Sequence, residues 1–513
     1  RNSLIENMYY DGISINSATA VPTIENSTIK DVRLNGIEVE NSSVIINNNN
    51  ITDTINDMDY GIYVSAGNPV ITNNIIEKSK NDGIYIAGGV PSITGNTIRT
   101  NTYFGINSYN LDVRLVGQDT TLLNTITGNP SGKVVSRGNS FTPTIGTIDG
   151  SVNDILINGG GYFPAGKTLN INASSIIKMI GSNFFYVRGV LNVNGTSTGH
   201  VIFTSINENT IGSETSAGTG SPAWGNWYNI DINGTPTNGS IINYAEIRHA
   251  NYGIGITNSN TIVRNSLIEN MYYDGISINS ATAVPTIENS TIKDVRLNGI
   301  EVENSNVIIN NNNILNSDNG MDYGIYIGSG NPSIKNNIIK YGNTKGLYKV
   351  AGTPTISYNL LYGTNNIDAY NGTLTGTNIV GLDPLLNATT EQLSAGSPAI
   401  NTGDTSFGNH PLSGNTYDIG RYEYTGYAPL VFTASISGVS GRNLTYEWSF
   451  TQDPTNGVNP PVINNSTGNF STDRNISTSF EVTKLGNYTL KLTIKEGTTI
   501  LGQSTNSFTI VNP

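Results

Sequence analysis

Aspartate returns at a fixed place in this chain. Asp11, Asp59 and Asp82 stand one or two places ahead of a recurring glycine, Asp31 recurs nearby, and Asp274, Asp294 and Asp322 hold matching places further on. Carboxylates repeated in this way would suit three chemistries. A pair about 5–9 Å apart would serve glycoside hydrolysis. A base beside a cation or arginine would serve polysaccharide elimination. Oxygen ligands from neighbouring repeat units would suit a structural Ca2+, although nothing else in the sequence supports one and no other cofactor is expected. Two observations weigh against catalysis. The acids repeat with the unit, whereas an active site normally occurs once, and a turn needs Asx-type bonding ahead of its glycine. Basic partners are few: Arg33 and Arg296 are copies of each other, and His200, His249 and His410 have no metal-ligand spacing. Arg248-His249 is the one polar pair that appears singly. No catalytic residue and no metal site is expected, and a non-catalytic role is preferred over an enzyme.

Tyrosine offers a different chemistry. Tyr9, Tyr10, Tyr60 and Tyr63 are matched by Tyr272, Tyr273, Tyr323 and Tyr326. Where Ile62 and Val64 face inward, Tyr63 faces outward, and Tyr326 does the same in the second set. Tyr63 and Tyr326 are therefore the expected contacts to a glycan or to a neighbouring subunit.

The elements that position these residues are read from the repeats. Residues 1–42 and 264–305 are identical, and the likeness continues with substitutions to about 107 and 370. The second copy has upstream units that the first lacks, so the sequence starts inside a repeat and reads as part of a longer modular molecule. Glycine followed by an apolar residue marks each unit: Gly12, Gly36, Gly61, Gly83 and Gly105, then Gly253, Gly275, Gly299, Gly324 and Gly346. Steps of 22, 24, 25 and 22 residues in the second series mean a solenoid that buries its apolar face by stacking. Each unit holds three short β patterns and no helical stripe. Ile13/Ile15, Ile37/Val39, Ile62/Val64 and Ile84/Ile86 are split by Ser14, Glu38, Tyr63 and Tyr85. The fold class is all-β: a right-handed parallel β-helix with coils of about 22–25 residues, then an immunoglobulin-like β-sandwich.

Asparagine gathers at one corner of each coil. Asn49, Asn74 and Asn96, with Asn265, Asn312, Asn337 and Asn359 in the second array, are expected to form an inward ladder of stacked side chains, with Ser27 and Ser290 as exceptions.

Four segments are expected: a truncated first array (1–110), a degenerate cap or junction (111–150), a second β-helix with opening coils and closing segment (151–427), and the sandwich (428–513). The stretch 168–205, then Gly225-Asn226-Trp227, and the closing runs Val380-Gly381-Leu382-Asp383-Pro384, Ser397-Pro398-Ala399-Ile400 and Asp418-Ile419-Gly420 resemble the right-handed β-helix repeat proteins of microbial surfaces and secretions. Val116-Gly117-Gln118-Asp119 is a blurred form of the first closing run. Leu444–Phe450 and Gly486-Asn487-Tyr488 resemble immunoglobulin-like modules of the polycystic-kidney-disease (PKD) type, although the usual Gly-Asp-Gly turn is replaced by Thr451-Gln452-Asp453-Pro454.

Composition bounds the partners. A net charge of −12 argues against nucleic acid and against anionic membrane. No apolar run approaches the roughly 20 residues of a membrane helix. Cysteine is absent, which decides nothing about compartment. Sequons at Asn26, Asn41, Asn172, Asn194, Asn233, Asn289, Asn387, Asn443 and Asn487 are candidate glycosylation sites and favour an extracellular, cell-surface location. The leading expectation is a structural protein of a sheath, surface layer or fibre, partnered by copies of itself or by other surface proteins. The alternatives are a non-catalytic adhesin bound to surface polysaccharide, and a polysaccharide lyase or glycoside hydrolase.

Overall fold

The computed structural model describes residues 1–510 apart from 110–123, 137–144, 149–154, 158–160, 213–217, 219, 235–238, 317–319, 342–344, 364–369, 375–376, 395, 405, 407–416, 424–429, 438–441, 454–462, 465–466, 471–473 and 481–485. The blurred closing run at 116–119 and His410 lie outside the described residues. The chain divides into two compact units, Arg1–Ser357 with Leu361–Gly381, and Tyr358–Leu360 with Leu382–Pro513.

The first unit is a parallel β-solenoid. Alternation puts one residue in two inside, and stacking puts like on like. Ile13, Ile37, Ile62, Ile84 and Ile106 are successive register partners, as are Ile276, Ile300, Ile325 and Leu347 in the second copy. From Ile37 onward these side chains are fully buried. The glycine just before them is needed for close approach. A Cβ on Gly61 would stand 2.4 Å from Ile76 Cγ2 and 2.7 Å from the Gly83 carbonyl oxygen, so the coil could not close over its neighbour.

Asparagine has two jobs at adjacent positions. Asn26, Asn48, Asn73, Asn265, Asn289, Asn311 and Asn336 take the left-handed backbone that turns the corner, with φ between 48° and 55°. The next residue points inward. Asn49 Nδ2 donates to Asn74 Oδ1 at 3.0 Å, Asn74 Nδ2 to Asn96 Oδ1 at 2.9 Å, and Asn312 Nδ2 to Asn337 Oδ1 at 3.0 Å. Asn359 is buried at the same place. The expectation for Asn265 needs correcting. It belongs to the left-handed row, donates to Asn243 Oδ1 at 2.9 Å, and leaves the inward position to Ser266. Both positions favour asparagine, so a shift of one residue is invisible in the sequence.

Among the described residues, one sixteen-stranded sheet runs from Ile13–Ile15 to Ile379–Val380. It crosses the irregular stretch by pairing Phe104–Ser108 with Gly132–Ser136, then Ile155–Ile157, then Ile176–Met179. The strands it links are not equivalent. In the first copy it holds Ile13–Ile15, with Leu4–Glu6 in a six-stranded sheet. In the second it holds Leu267–Met271, the counterpart of Leu4–Glu6, while Ile276–Asn279 lies in a separate eight-stranded sheet. The identical blocks are therefore turned relative to each other by one side of the three-sided coil.

In the second unit, two antiparallel sheets, of three and four strands among the described residues, form the immunoglobulin-like sandwich. Trp448, Tyr488, Leu490 and Leu492 from one sheet pack with Ile476, Phe432 and Ala434 from the other. Asn401 N donates to Asp418 Oδ1 at 2.7 Å and Ser397 Oγ to the Pro384 carbonyl at 2.6 Å, which ties the closing runs together.

Candidate functional site

The residue that follows the first apolar position of each glycine-led strand forms a column. In the first copy Ser14, Glu38, Tyr63, Tyr85 and Asn107 are successive register partners. In the second the order Ser277, Glu301, Tyr326 and Tyr348 repeats it. Parallel stacking puts successive side chains roughly 4.8 Å apart, and the tyrosine rings close on one another. Tyr63 and Tyr85 stack with centroids 5.6 Å apart and planes at 7°, and Tyr326 and Tyr348 lie at 5.8 Å and 23°. Tyr60 and Tyr323 add a third ring, 4.9 Å from Tyr85 and 4.7 Å from Tyr348. Burial, then the Asp82 carboxylate, pushes the Tyr60 phenol up to about 12, so that hydroxyl stays a donor at neutral pH.

A carboxyl pair stands at the other end of each column. Asp11 Oδ1 accepts the Asn35 N–H at 2.9 Å, and Asp274 Oδ1 accepts the Asn298 N–H at 3.0 Å and its Nδ2 at 2.8 Å. Asp82 Oδ1 accepts the Phe104 N–H at 2.9 Å. These aspartates tie one coil to the next, which replaces the expected Asx bonding within their own turn. Glu38 and Glu301 lie beside Asp11 and Asp274 across neighbouring coils. In the first copy burial, then Asp11, raises the Glu38 carboxyl. In the second, burial, then Glu301, raises Asp274 to about 7. Asp274 is 1% exposed beneath an upstream coil, and that burial is the larger cause of its raised carboxyl.

The second column also extends upstream. Tyr186, Asp231, Gly255 and Ser277 are successive partners. Gly255 presents no side chain, and a Cβ there would stand 3.3 Å from Asn229 Nδ2 and 3.5 Å from Asp231 Oδ1. Asn229 is 8% exposed and its Oδ1 has no partner. Burial raises the Asp231 carboxyl, and Arg188 opposes the shift. Tyr228, Tyr252 and Tyr273 flank this part of the column, with centroids 5.8 and 4.9 Å apart along the series.

A family description for right-handed β-helix regions matches residues 1–148 and 228–381. The chain belongs to that family. No curated protein matches it. Among solved structures it is similar to one titled as the crystal structure of pectate lyase Pel9A, at 14% identity, with 82% of this chain and 87% of that chain covered and a TM-score of 0.23. At that level of likeness nothing about activity transfers.

The other residues singled out in the sequence of this right-handed β-helix lie elsewhere. Arg248 joins a ladder of charges. It pairs with Glu246 and, through Nε at 3.0 Å, with Glu269, which also meets Lys293 Nζ at 3.4 Å. His200 Nδ1 lies 2.6 Å from Glu246 Oε1, at an open cavity of about 490 Å³ lined also by Ser174 and Thr198. His249 turns a corner at φ 63° and reaches buried Glu208 at 3.3 Å. Burial lowers the His249 ring and Glu208 opposes it. The ladder joins successive coils, a structural task. Arg33 lies over Tyr9 at 4.8 Å, and its copy Arg296 lies over Tyr272 at 5.1 Å and Trp224 at 4.3 Å.

Tyr63 and Tyr326 are half-buried in the two columns. Of the sequon asparagines, Asn26, Asn41, Asn194, Asn387, Asn443 and Asn487 are exposed, while Asn172, Asn233 and Asn289 are half-buried. Among the described residues no group of three or more His, Cys, Asp or Glu is arranged to hold a metal. Reading the acids and the tyrosines separately missed the column, although Ser14, Glu38, Tyr63 and Tyr85 are the residues that split the apolar pairs. Asp231 and Asn229 precede the duplicated block and carried no repeat signal.

Proposed function

We propose that this chain is a structural protein of a cell surface whose tyrosine and carboxylate column holds a neutral polysaccharide without cleaving it. The observation that carries this is the same Ser, Glu, Tyr, Tyr order standing outward in both copies. Hydroxyls, carboxylates and ring edges at the spacing of a sheet offer hydrogen bonds and apolar contact to an extended chain of sugars. Self-association through this face is less favourable, since a two-fold contact centred on the column sets Glu301 against its own copy. A uronic-acid polymer meets the same repulsion. The terminal sandwich is read as a PKD-like spacer, and the exposed sequons support an extracellular place for the whole.

Hydrolysis is the second reading, because Asp274, raised to about 7 beside Glu301, has the protonation of an acid and base pair. Its geometry is against it. A retaining mechanism sets the carboxyls about 5 Å apart across the sugar, whereas Asp274 is 1% exposed beneath its neighbouring coil and cannot reach a sugar lying on the column. Affinity electrophoresis of the whole chain in galactomannan, xyloglucan, polygalacturonate and alginate tests the proposal. Retardation in the neutral gels alone, with no new reducing ends, is expected. Turnover of any polymer, stronger retention by the polyuronates, or no retention at all overturns it.

A further inference from the structure

We infer that the chain bridges two polysaccharide strands. The inference rests on the binding face proposed above and on one further fact, the turn between the two copies. The first column stands on the sixteen-stranded sheet, and the second stands on the eight-stranded sheet, on the neighbouring side of the coil.

Had the solenoid continued without this offset, Glu38, Tyr63 and Tyr85 would lie in line with Glu301, Tyr326 and Tyr348. One extended polymer would then run along both. The pairing of Gly132–Ser136 and Ile155–Ile157 between Phe104–Ser108 and Ile176–Met179 prevents it, because the sheet that leaves the first copy enters the second as the counterpart of Leu4–Glu6. The strands Asn35–Val39 and Thr291–Val295 are ten strand steps apart in the continuous sheet. At roughly 4.8 Å per step the two columns are separated by roughly 48 Å along the axis. Their outward directions differ by one side of the coil. A stiff strand lying on one column leaves the other free.

The columns are alike in composition, so both take the same class of ligand. Each has a serine, a carboxyl pair next to it and stacked tyrosines beyond. Two equal sites on one compact unit convert binding into crosslinking when geometry forbids a single strand from reaching both.

The test uses the whole chain with soluble galactomannan or xyloglucan, whichever it binds more tightly. Static light scattering reads bridging, and titration reads the number of polymer sites per protein. Wild type is expected to show two sites and scattering that rises severalfold and then falls once protein is in excess. Tyr63→Ala with Tyr85→Ala, or Tyr326→Ala with Tyr348→Ala, is expected to leave one site, an affinity within about threefold of wild type, and no rise in scattering. One site in the wild type, or undiminished bridging by either paired variant, overturns the inference while leaving the binding face standing. No binding by the wild type overturns both. The wild-type site count stands even if a paired variant fails to fold.

Discussion

Ile13 and Ile276 occupy the same position of an identical block, yet Ile276 is fully buried and Ile13 is only half-buried. Ile276 has register partners on both sides, Ile254 and Ile300, and Ile13 pairs with Ile37. Stacking on both sides therefore gives Ile276 its full energetic weight. Ile276→Ala is expected to cost about 2–5 kcal/mol. The urea midpoint of the variant checks this, and a loss under about 1 kcal/mol would show that burial between the two coils does not matter.

Gly275 shows why the glycine rhythm is obligatory. A Cβ there would stand 2.4 Å from Ile292 Cγ2 and 2.6 Å from the Gly299 carbonyl oxygen, on both sides of the coil contact. Gly275→Ala should destabilise by at least about 1–3 kcal/mol, because the backbone must move to admit the methyl. Gly502→Ala, where nothing lies within 4 Å, should stay within about 0.5 kcal/mol of wild type. Denaturant unfolding of the two proteins measures the contrast.

Those glycines, and the apolar pairs they introduce, were legible because a missing Cβ and an alternating pattern are both properties of the residue itself. The two asparagine rows were half legible. Both positions favour Asn, one for its backbone and one for its amide, so Asn265 and Ser266 could be exchanged without breaking any pattern. The turn between the copies was not legible at all. It is set by how Gly132–Ser136 and Ile155–Ile157 pair, within a stretch that has no rhythm of its own. Nor could sequence show how fully the upstream coil covers Asp274, because that coil lies outside the duplicated block.

Asn74 uses both ends of its amide. Its Oδ1 accepts from Asn49 N at 2.9 Å and Nδ2 at 3.0 Å, and its own Nδ2 donates to Asn96 Oδ1 and to the carbonyls of Ile46 and Thr72, each at 2.9 Å. The order of loss should be Asn74→Ser least, Asn74→Ala next and Asn74→Asp most. Serine already serves at Ser27 and Ser290, where its oxygen keeps part of the bonding. Alanine strands buried partners at about 1–3 kcal/mol each. Aspartate keeps the acceptor, loses the donor and adds a buried charge. Hydrogen exchange at the Asn49 amide reads the local effect, and a variant order with alanine worst would refute the argument.

Asp274 should make the fold more stable in mild acid. Its folded-state carboxyl titrates near 7 against an ordinary 3.8, with Glu301 facing it from the next coil and Tyr252 from the previous one. Between those values the folded chain holds a proton that the unfolded chain has lost, so this group's contribution is complete below the ordinary value and disappears as pH rises through 7. Asp274→Asn keeps an oxygen for the Asn298 N–H and offers Glu301 a permanent donor. The variant is expected to match wild type at about pH 4 and to exceed it by roughly 1–3 kcal/mol at about pH 8. Urea midpoints across that range decide the matter. If the difference between the two proteins is the same at both ends, the carboxyl does not carry its proton into the folded state, and the pair it forms with Glu301 is held by Asn298 alone.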